Sequence, residues 1–240
     1  MTAPAVVEIV GPGGSGKSSL VGLLAGDDRA VVHASLRNHL PLGDFVRSGA
    51  RVFRPFLAQI PRIPSRRWYR LEVMVQLQAH AAVVARLAAR GTHTIVLDQG
   101  PVYLLSILQR AHAAAGRRNA LAFQRYWDES LAFWRRTLRL LVVLDAPDMV
   151  LYERIQTRAT RHPLLHRELQ SAMLKIQRGR ESRARIIDAL LAGRDAPALL
   201  GVDTSALSPV QVAEQVRSRL RSTAPVTHGR DPVAVDVGRG

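Results

Sequence analysis

Gly11-Pro12-Gly13-Gly14-Ser15-Gly16-Lys17-Ser18 is the stretch on which the reading of this chain turns. It fits the pattern G-x-x-x-x-G-K-[ST], with Gly11, Gly16, Lys17 and Ser18 at the fixed positions. The flanks fit as well. Ala5-Val6-Val7-Glu8-Ile9-Val10 ahead of it is a β-branched run that reads as a buried strand. Leu20, Leu23 and Leu24 behind it begin a helical apolar face. Strand, glycine loop and helix is the context a phosphate-binding Walker A loop requires. Without Cβ atoms at Gly11, Gly13, Gly14 and Gly16 the backbone can curl its N–H groups onto a phosphate, and the following helix adds partial positive charge. The loop from Gly11 to Ser19, Ser15 included, is therefore expected to hold a nucleoside triphosphate. Lys17 should reach the β- and γ-phosphates and the Ser18 hydroxyl should ligate Mg²⁺.

Composition narrows the classes. The 240 residues suffice for one large domain with its own core, and 47% hydrophobic residues is ordinary for a globular protein. There is no cysteine, which excludes disulfides, thiolate metal sites and thiol nucleophiles. No basic segment precedes the first apolar stretch, so it does not read as a signal peptide. No apolar run approaches the roughly 18 residues of a membrane helix. A soluble, cytoplasmic protein is expected. The net charge of +15 invites a nucleic-acid reading. Yet Lys17 and Lys175 are the only lysines, and the arginines are spread along the chain. Arginine-dense spots lie at residues 62–70, 135–139 and 178–185, the first containing Trp68 and Tyr69, which could stack on bases. Nucleic acid is a disfavoured partner, because anionic small molecules account for much of the same charge.

Five apolar segments, at 5–10, 30–34, 94–98, 139–145 and 198–203, read as strands alternating with helices, the pattern of a parallel α/β sheet. Leu71, Val75, Leu77, Ala81, Val84 and Leu87 mark a long helix ending at Gly91. Ser208-Pro209-Val210-Gln211 is a capping box with proline at the first helical position. Gly100-Pro101 and Ala146-Pro147 start two further helices. Helical insertions are expected at about 36–66 and 112–137. Phe123, Trp127, Leu131, Trp134 and Leu138 form an apolar stripe at helical steps, read as core or a dimer interface. His162 and His166 have no third ligand in view and do not read as a metal site.

Several P-loop classes are disfavoured. The guanine-reading N-K-x-D and the D-x-x-G of GTPases are absent, as is the serine-glycine-glycine signature of transporter ATPases. Asp98 is followed by Gln99, not by the water-activating glutamate of motor ATPases. What remains resembles the P-loop nucleoside and nucleotide kinases, with a thymidylate kinase-like pattern. The resemblance rests on Gly11–Ser18, on Thr94–Asp98 followed by Gln99-Gly100, on Leu144-Asp145-Ala146-Pro147 followed by Leu151, Arg154 and Arg158, and on Val202-Asp203-Thr204-Ser205 with its capped helix. It implies an α/β fold with a five-stranded parallel sheet in order 2-3-1-4-5 and helices on both faces. The domain would span 1–221, with an acceptor-side helical segment at about 36–70, a lid at about 154–168 and a disordered tail at 222–240. Pairing into a homodimer through helices is a further suggestion of the resemblance.

The expected chemistry is ATP- and Mg²⁺-dependent phosphoryl transfer to a small acceptor, a nucleotide or nucleoside first of all. Lys17, Asp98 and Arg158 are the candidate catalytic residues. Asp98 would hold Mg²⁺ with Ser18, or take a proton from an acceptor hydroxyl. Arg154 and Arg158, one turn apart, would fold over the triphosphate. Arg37, Arg70 and Gln99 are the candidate acceptor contacts. Asp145 reads as a cap more than as a catalytic group. Two departures leave the acceptor open: Gln99 stands where the family usually has arginine, and the second strand, ending His33-Ala34-Ser35, carries no carboxylate. The alternative is an NTP-binding regulatory protein or weak ATPase associated with nucleic acid.

Overall fold

A computed structural model of the chain describes residues 4–27, 31–34, 65–113, 120–158, 164–165 and 168–223. Arg37, Asp44 and most of the 36–70 segment lie outside the described residues, as do the side chain of Arg70, Arg161, His162, His166 and the chain after Thr223.

The strands are β1 (Ala5–Val10), β2 (Val31–Ala34), β3 (Thr94–Asp98), β4 (Leu138–Asp145) and β5 (Ala198–Asp203). The helices are α1 (Lys17–Asp27), α2 (Ser65–Ala89), α3 (Pro101–Ala113), α4 (Ala120–Thr137), α5 (Asp148–Gln156), α6 (Leu169–Leu191) and α7 (Pro209–Ser222). The sheet runs β2-β3-β1-β4-β5 with every pair parallel, the order expected from the sequence. Parallel neighbours demand crossover helices, and the helices cover both faces.

Strand alternation assigns those faces. Val6 and Val10 point into the layer built by α2, α3, α4 and α6, with Leu77, Val84, Leu105, Trp134 and Leu190. Val7 and Ile9 point the other way, against Leu20 and Leu24 of α1 and Val212 and Val216 of α7. β1 is buried along its whole length, as a central strand must be.

Two boundaries differ from the sequence reading. α2 begins at Ser65, six residues before the apolar stripe that starts at Leu71, because its first turns hold three arginines and an adjacent aromatic pair, Trp68-Tyr69, that does not continue the helical spacing of the stripe. The stripe on α4 stops at Thr137, and β4 begins at Leu138 with no glycine or proline between to mark the change. Leu131, Trp134 and Leu138 are core, and Phe123 and Trp127 stack on each other at 5.9 Å, half-buried against it. The capping box at Ser208 is present, with Gln211 N–H donating to Ser208 Oγ and Ser208 N–H to Gln211 Oε1. No described helix is long and apolar enough to cross a membrane.

Candidate active site

The register of the sheet builds the site. Ile9 lies opposite Asp98 and Val10 opposite Val143, so the loop that leaves β1 at Gly11 emerges between the ends of β3 and β4. Glycine is required there for space. A Cβ on Gly11 would run into the carbonyl oxygen of Leu144, and one on Gly14, at φ 83°, would sit 2.8 Å from the carbonyl oxygen of Leu151. Ser15 is fully buried, and its hydroxyl donates to the Pro12 carbonyl at 2.9 Å, bracing the loop from inside. Lys17 opens α1, with its Nζ donating to the carbonyls of Gly11 at 3.0 Å and Pro12 at 2.7 Å. An ammonium has three donors, so one remains for a ligand. Ser18 and Ser19 stand exposed on the first turn of α1. Beside the loop lies a cavity of about 310 Å³, bounded by Gly16, Ser19, Leu144, Arg158, Leu207 and Val212 among others.

Asp98, Arg158 and Arg183 lie close enough to Lys17 for their charges to act on it. Burial lowers the Lys17 pKa to about 8; the charge of Asp98 opposes this, and those of Arg183 and Arg158 add to it. Asp98 Oδ1 is buried and has no hydrogen-bond partner among the described residues. A native protein seldom leaves such an atom unsatisfied, and those it does leave call for a ligand, an ion or water. Mg²⁺ fits. It favours one or two oxygen ligands from protein and keeps phosphate oxygens and waters for the rest. Directly after Asp98, Gln99 takes a left-handed φ of 59°, an uncommon conformation for a residue with a side chain.

A buried acid lies beneath that turn. Glu8 points, like Val6 and Val10, into the α2–α3–α6 layer and is fully buried. Its two carboxyl oxygens accept from the N–H of Val102 at 2.9 and 3.1 Å, capping α3 from below. A Cβ on Gly100 would come within 3.2 Å of that carboxyl and 3.0 Å of Leu97 Cβ. The segment Asp98–Pro101 is thus threaded tightly over Glu8. Burial, reinforced by the charge of Asp98 and partly opposed by the backbone N–H groups of Val102 and Tyr103, pushes Glu8 up to about 8. Glu8 therefore holds its proton at neutral pH.

The arginines divide by partner. Arg154 donates to the Thr204 hydroxyl at 3.1 Å and carbonyl at 2.8 Å, and reaches the Gly14 carbonyl at 3.5 Å. It ties α5 to the end of β5 and to the loop, and its guanidinium borders the cavity. Arg158 does not share a helix with it. α5 ends at Gln156, Thr157 is the cap, and Arg158 follows the last turn as an exposed residue on the cavity rim. Asp145 is held by Arg180, whose Nε and Nη2 lie 2.8 and 2.9 Å from its two oxygens, and it also accepts from Ala146 N–H at 2.9 Å. Arg180 further donates to the Ala146 carbonyl and to Asp148.

The sequence-derived residues thus gather at one place where they are described. Gly11, Gly13, Gly14, Ser15, Gly16, Lys17, Ser18 and Ser19 form the loop, Asp98 and Gln99 its near wall, and Arg154 and Arg158 its rim. Glu8, Arg180 and Arg183 were not foreseen. Glu8 left a legible sign: it is the one acid in an otherwise apolar, fully buried strand. Arg180 and Arg183 left none, being two arginines among many.

No protein-family model matches the chain, and no curated protein matches it in sequence. Solved structures do. A deoxyadenosine kinase from M. mycoides with bound dATP matches at a TM-score of 0.50 and 12% identity, over 92% of this chain and 100% of that one. A shikimate kinase from Bacteroides thetaiotaomicron matches at a TM-score of 0.49 and 15% identity, over 90% and 98%. At such identities the likeness concerns the fold, and the chain has the α/β fold of the P-loop kinases.

Proposed function

We propose that this chain is an ATP- and Mg²⁺-dependent phosphotransferase acting on a small-molecule acceptor, a nucleotide or nucleoside in the first place. The observation that carries the reading is the meeting of Asp98, with its buried and unpartnered Oδ1, and Lys17 at the mouth of the phosphate loop. Phosphoryl transfer asks mainly for alignment and charge neutralisation. The loop amides and Lys17 hold the β- and γ-phosphates of the donor. Ser18 and Asp98 would hold Mg²⁺, which when bound neutralises phosphate charge. Asp98 alternatively accepts the proton of an acceptor hydroxyl. Arg158, exposed on the rim, closes over the donor, while Arg154 is anchored to Thr204 and fixes the wall. The apolar side of the cavity, with Leu144, Leu207 and Val212, suits a nucleobase. The fold it shares with a dATP-bound kinase supports the donor assignment. Arg37, Arg70 and Gln99 remain the proposed acceptor contacts, and a cytoplasmic enzyme is in keeping with this chemistry.

The second reading, an NTP-binding regulatory protein or weak ATPase, is favoured by one observation: Gln99 brings no charge to the strand end. ATP consumption with Mg²⁺ against nucleosides, nucleoside monophosphates and sugars separates the two. A phosphotransferase turns over strongly with one acceptor, and Asp98→Asn lowers that turnover by about 10²-fold or more while nucleotide affinity holds. Equal slow hydrolysis with every acceptor and none would establish the second reading.

A further inference from the structure

Arg183 feels the charge of Asp145 without a hydrogen bond to it among the described residues. It sits on α6, with Nη2 buried and without a hydrogen-bond acceptor among the described residues. The nearest carboxylate whose charge it feels is Asp145, but Arg180 and the Ala146 N–H already occupy both oxygens of that group. The guanidinium lies back along its own helix, with Nη1 3.2 Å from where a Cβ on Gly179 would stand, so the glycine leaves it room. Helix α3 packs beside it, brought close where Ser182 Oγ donates to the Ser106 carbonyl at 3.2 Å. On α3, Tyr103 and Arg110 stand two turns apart, on one face and exposed. Both act on Arg183 electrostatically.

The geometry points to an acceptor subsite: we propose that Arg183, with Tyr103 and Arg110 on the facing helix α3, anchors an oxyanion of the phosphoryl acceptor, a phosphate or a carboxylate. This rests on the phosphotransferase reading and adds the charge of its second substrate. A buried guanidinium nitrogen without an acceptor is costly, and the structure that keeps one holds it ready for an anion. Burial and the neighbouring cations Arg110 and Arg180 lower Arg183 only to about 10, so it stays charged at neutral pH. The anion belongs to the acceptor because of the layers. The donor cavity opens on the side of α1 and α7, through Leu20 and Val212. Arg183 belongs to the opposite layer, yet its charge is felt at Lys17. A group bound there faces the transferring phosphate from the side the donor leaves free. Gln99 needs no charge of its own if α6 supplies one.

The test loads the protein with Mg²⁺ and the non-hydrolysable donor adenylyl imidodiphosphate, which fills the γ-phosphate position, and then titrates inorganic phosphate or acetate as probe. Wild-type protein binds one of the probes saturably, and Arg183→Gln weakens that binding by at least about tenfold. Arg183→Lys keeps part of it, which shows that the helix still packs. Donor-analogue affinity stays within about twofold throughout. Preference for phosphate marks a phosphate-bearing acceptor and preference for acetate a carboxylate, and either supports the proposal. Failure of the loaded wild-type protein to bind either probe would overturn it, as would equal probe binding in Arg183→Gln. A loss of donor-analogue affinity matching the loss of probe would overturn it too, by moving Arg183 to the donor. If the wild-type protein fails to bind the donor analogue at all, the phosphotransferase reading falls, and this subsite with it.

Discussion

Glu8 is the residue where the local rule and the global fold disagree most. A carboxyl at the centre of a buried strand is expensive unless its oxygens are satisfied, and here the single N–H of Val102, shared between both oxygens, and neutralisation of the group divide that task. Its pKa of about 8 in the folded protein lies above the ordinary carboxylate value of 4.5, so the folded state keeps a proton that the unfolded chain has released. The stabilisation is complete below the ordinary value and is lost as pH rises through about 8. Glutamine mimics the protonated acid. The unfolding free energy of wild type relative to Glu8→Gln should therefore fall between about pH 5 and pH 8, at up to about 1.4 kcal/mol per pH unit. Urea titrations of both proteins at several pH values read this directly, and parallel profiles would sink it. The pattern of β1 carried the sign of this group, but not its partner. That Glu8 caps α3, 94 residues away in sequence, depends on β1 and β3 being neighbours.

At the level of elements, the starts of α3, α5 and α7 were legible, whereas the start of α2 and the ties between elements were not. Proline after a strand end announced α3 and the turn into α5, and the Ser208–Gln211 box announced α7, because caps are written in consecutive residues. The staple that docks α6 on the β4–α5 junction is long-range. Arg180 grips Asp145 with two nitrogens and also reaches Ala146 and Asp148. Its side chain is 28% exposed and those of Asp145 and Asp148 are 42% and 20% exposed, so water screens part of the attraction. Arg180→Ala should cost about 1–3 kcal/mol, seen as a lower urea midpoint at unchanged m-value. Arg180→Lys should recover little, since a point charge cannot reproduce the fork. The Arg125–Glu129 pair, 84% and 48% exposed one turn apart on α4, is the control. Breaking it should shift stability by less than about 0.5 kcal/mol, and an equal cost for the two pairs would refute the distinction.

For the whole molecule, the parallel α/β sheet was legible in five apolar runs alternating with helices, whereas its strand order came from the resemblance to the P-loop kinases and agrees with the order observed. The donor half of the site came with them: the loop is local in sequence and Asp98 ends the adjacent strand. The acceptor half was legible only as the candidates Arg37, Arg70 and Gln99. The groups proposed for it on α3 and α6 were hidden in a surplus of arginines. The same surplus sets the last question, whether a triphosphate binds the loop or merely the net charge of +15. A ligand at a hundred times its dissociation constant stabilises the folded state by about 2.7 kcal/mol. For a domain of this size that is a rise in melting temperature of about 5–11 °C. Mg²⁺-ATP should produce it in wild-type protein and not in Lys17→Ala, which removes the cation on the loop carbonyls. Inorganic tripolyphosphate is the comparison, since it carries the charge without the nucleobase. If the cavity beside Leu207 and Val212 holds the base, ATP stabilises more than tripolyphosphate at equal concentration, and the excess survives added salt. Equal shifts from both, retained in Lys17→Ala and erased by salt, would mean that surface charge alone was binding and that the loop was not the site.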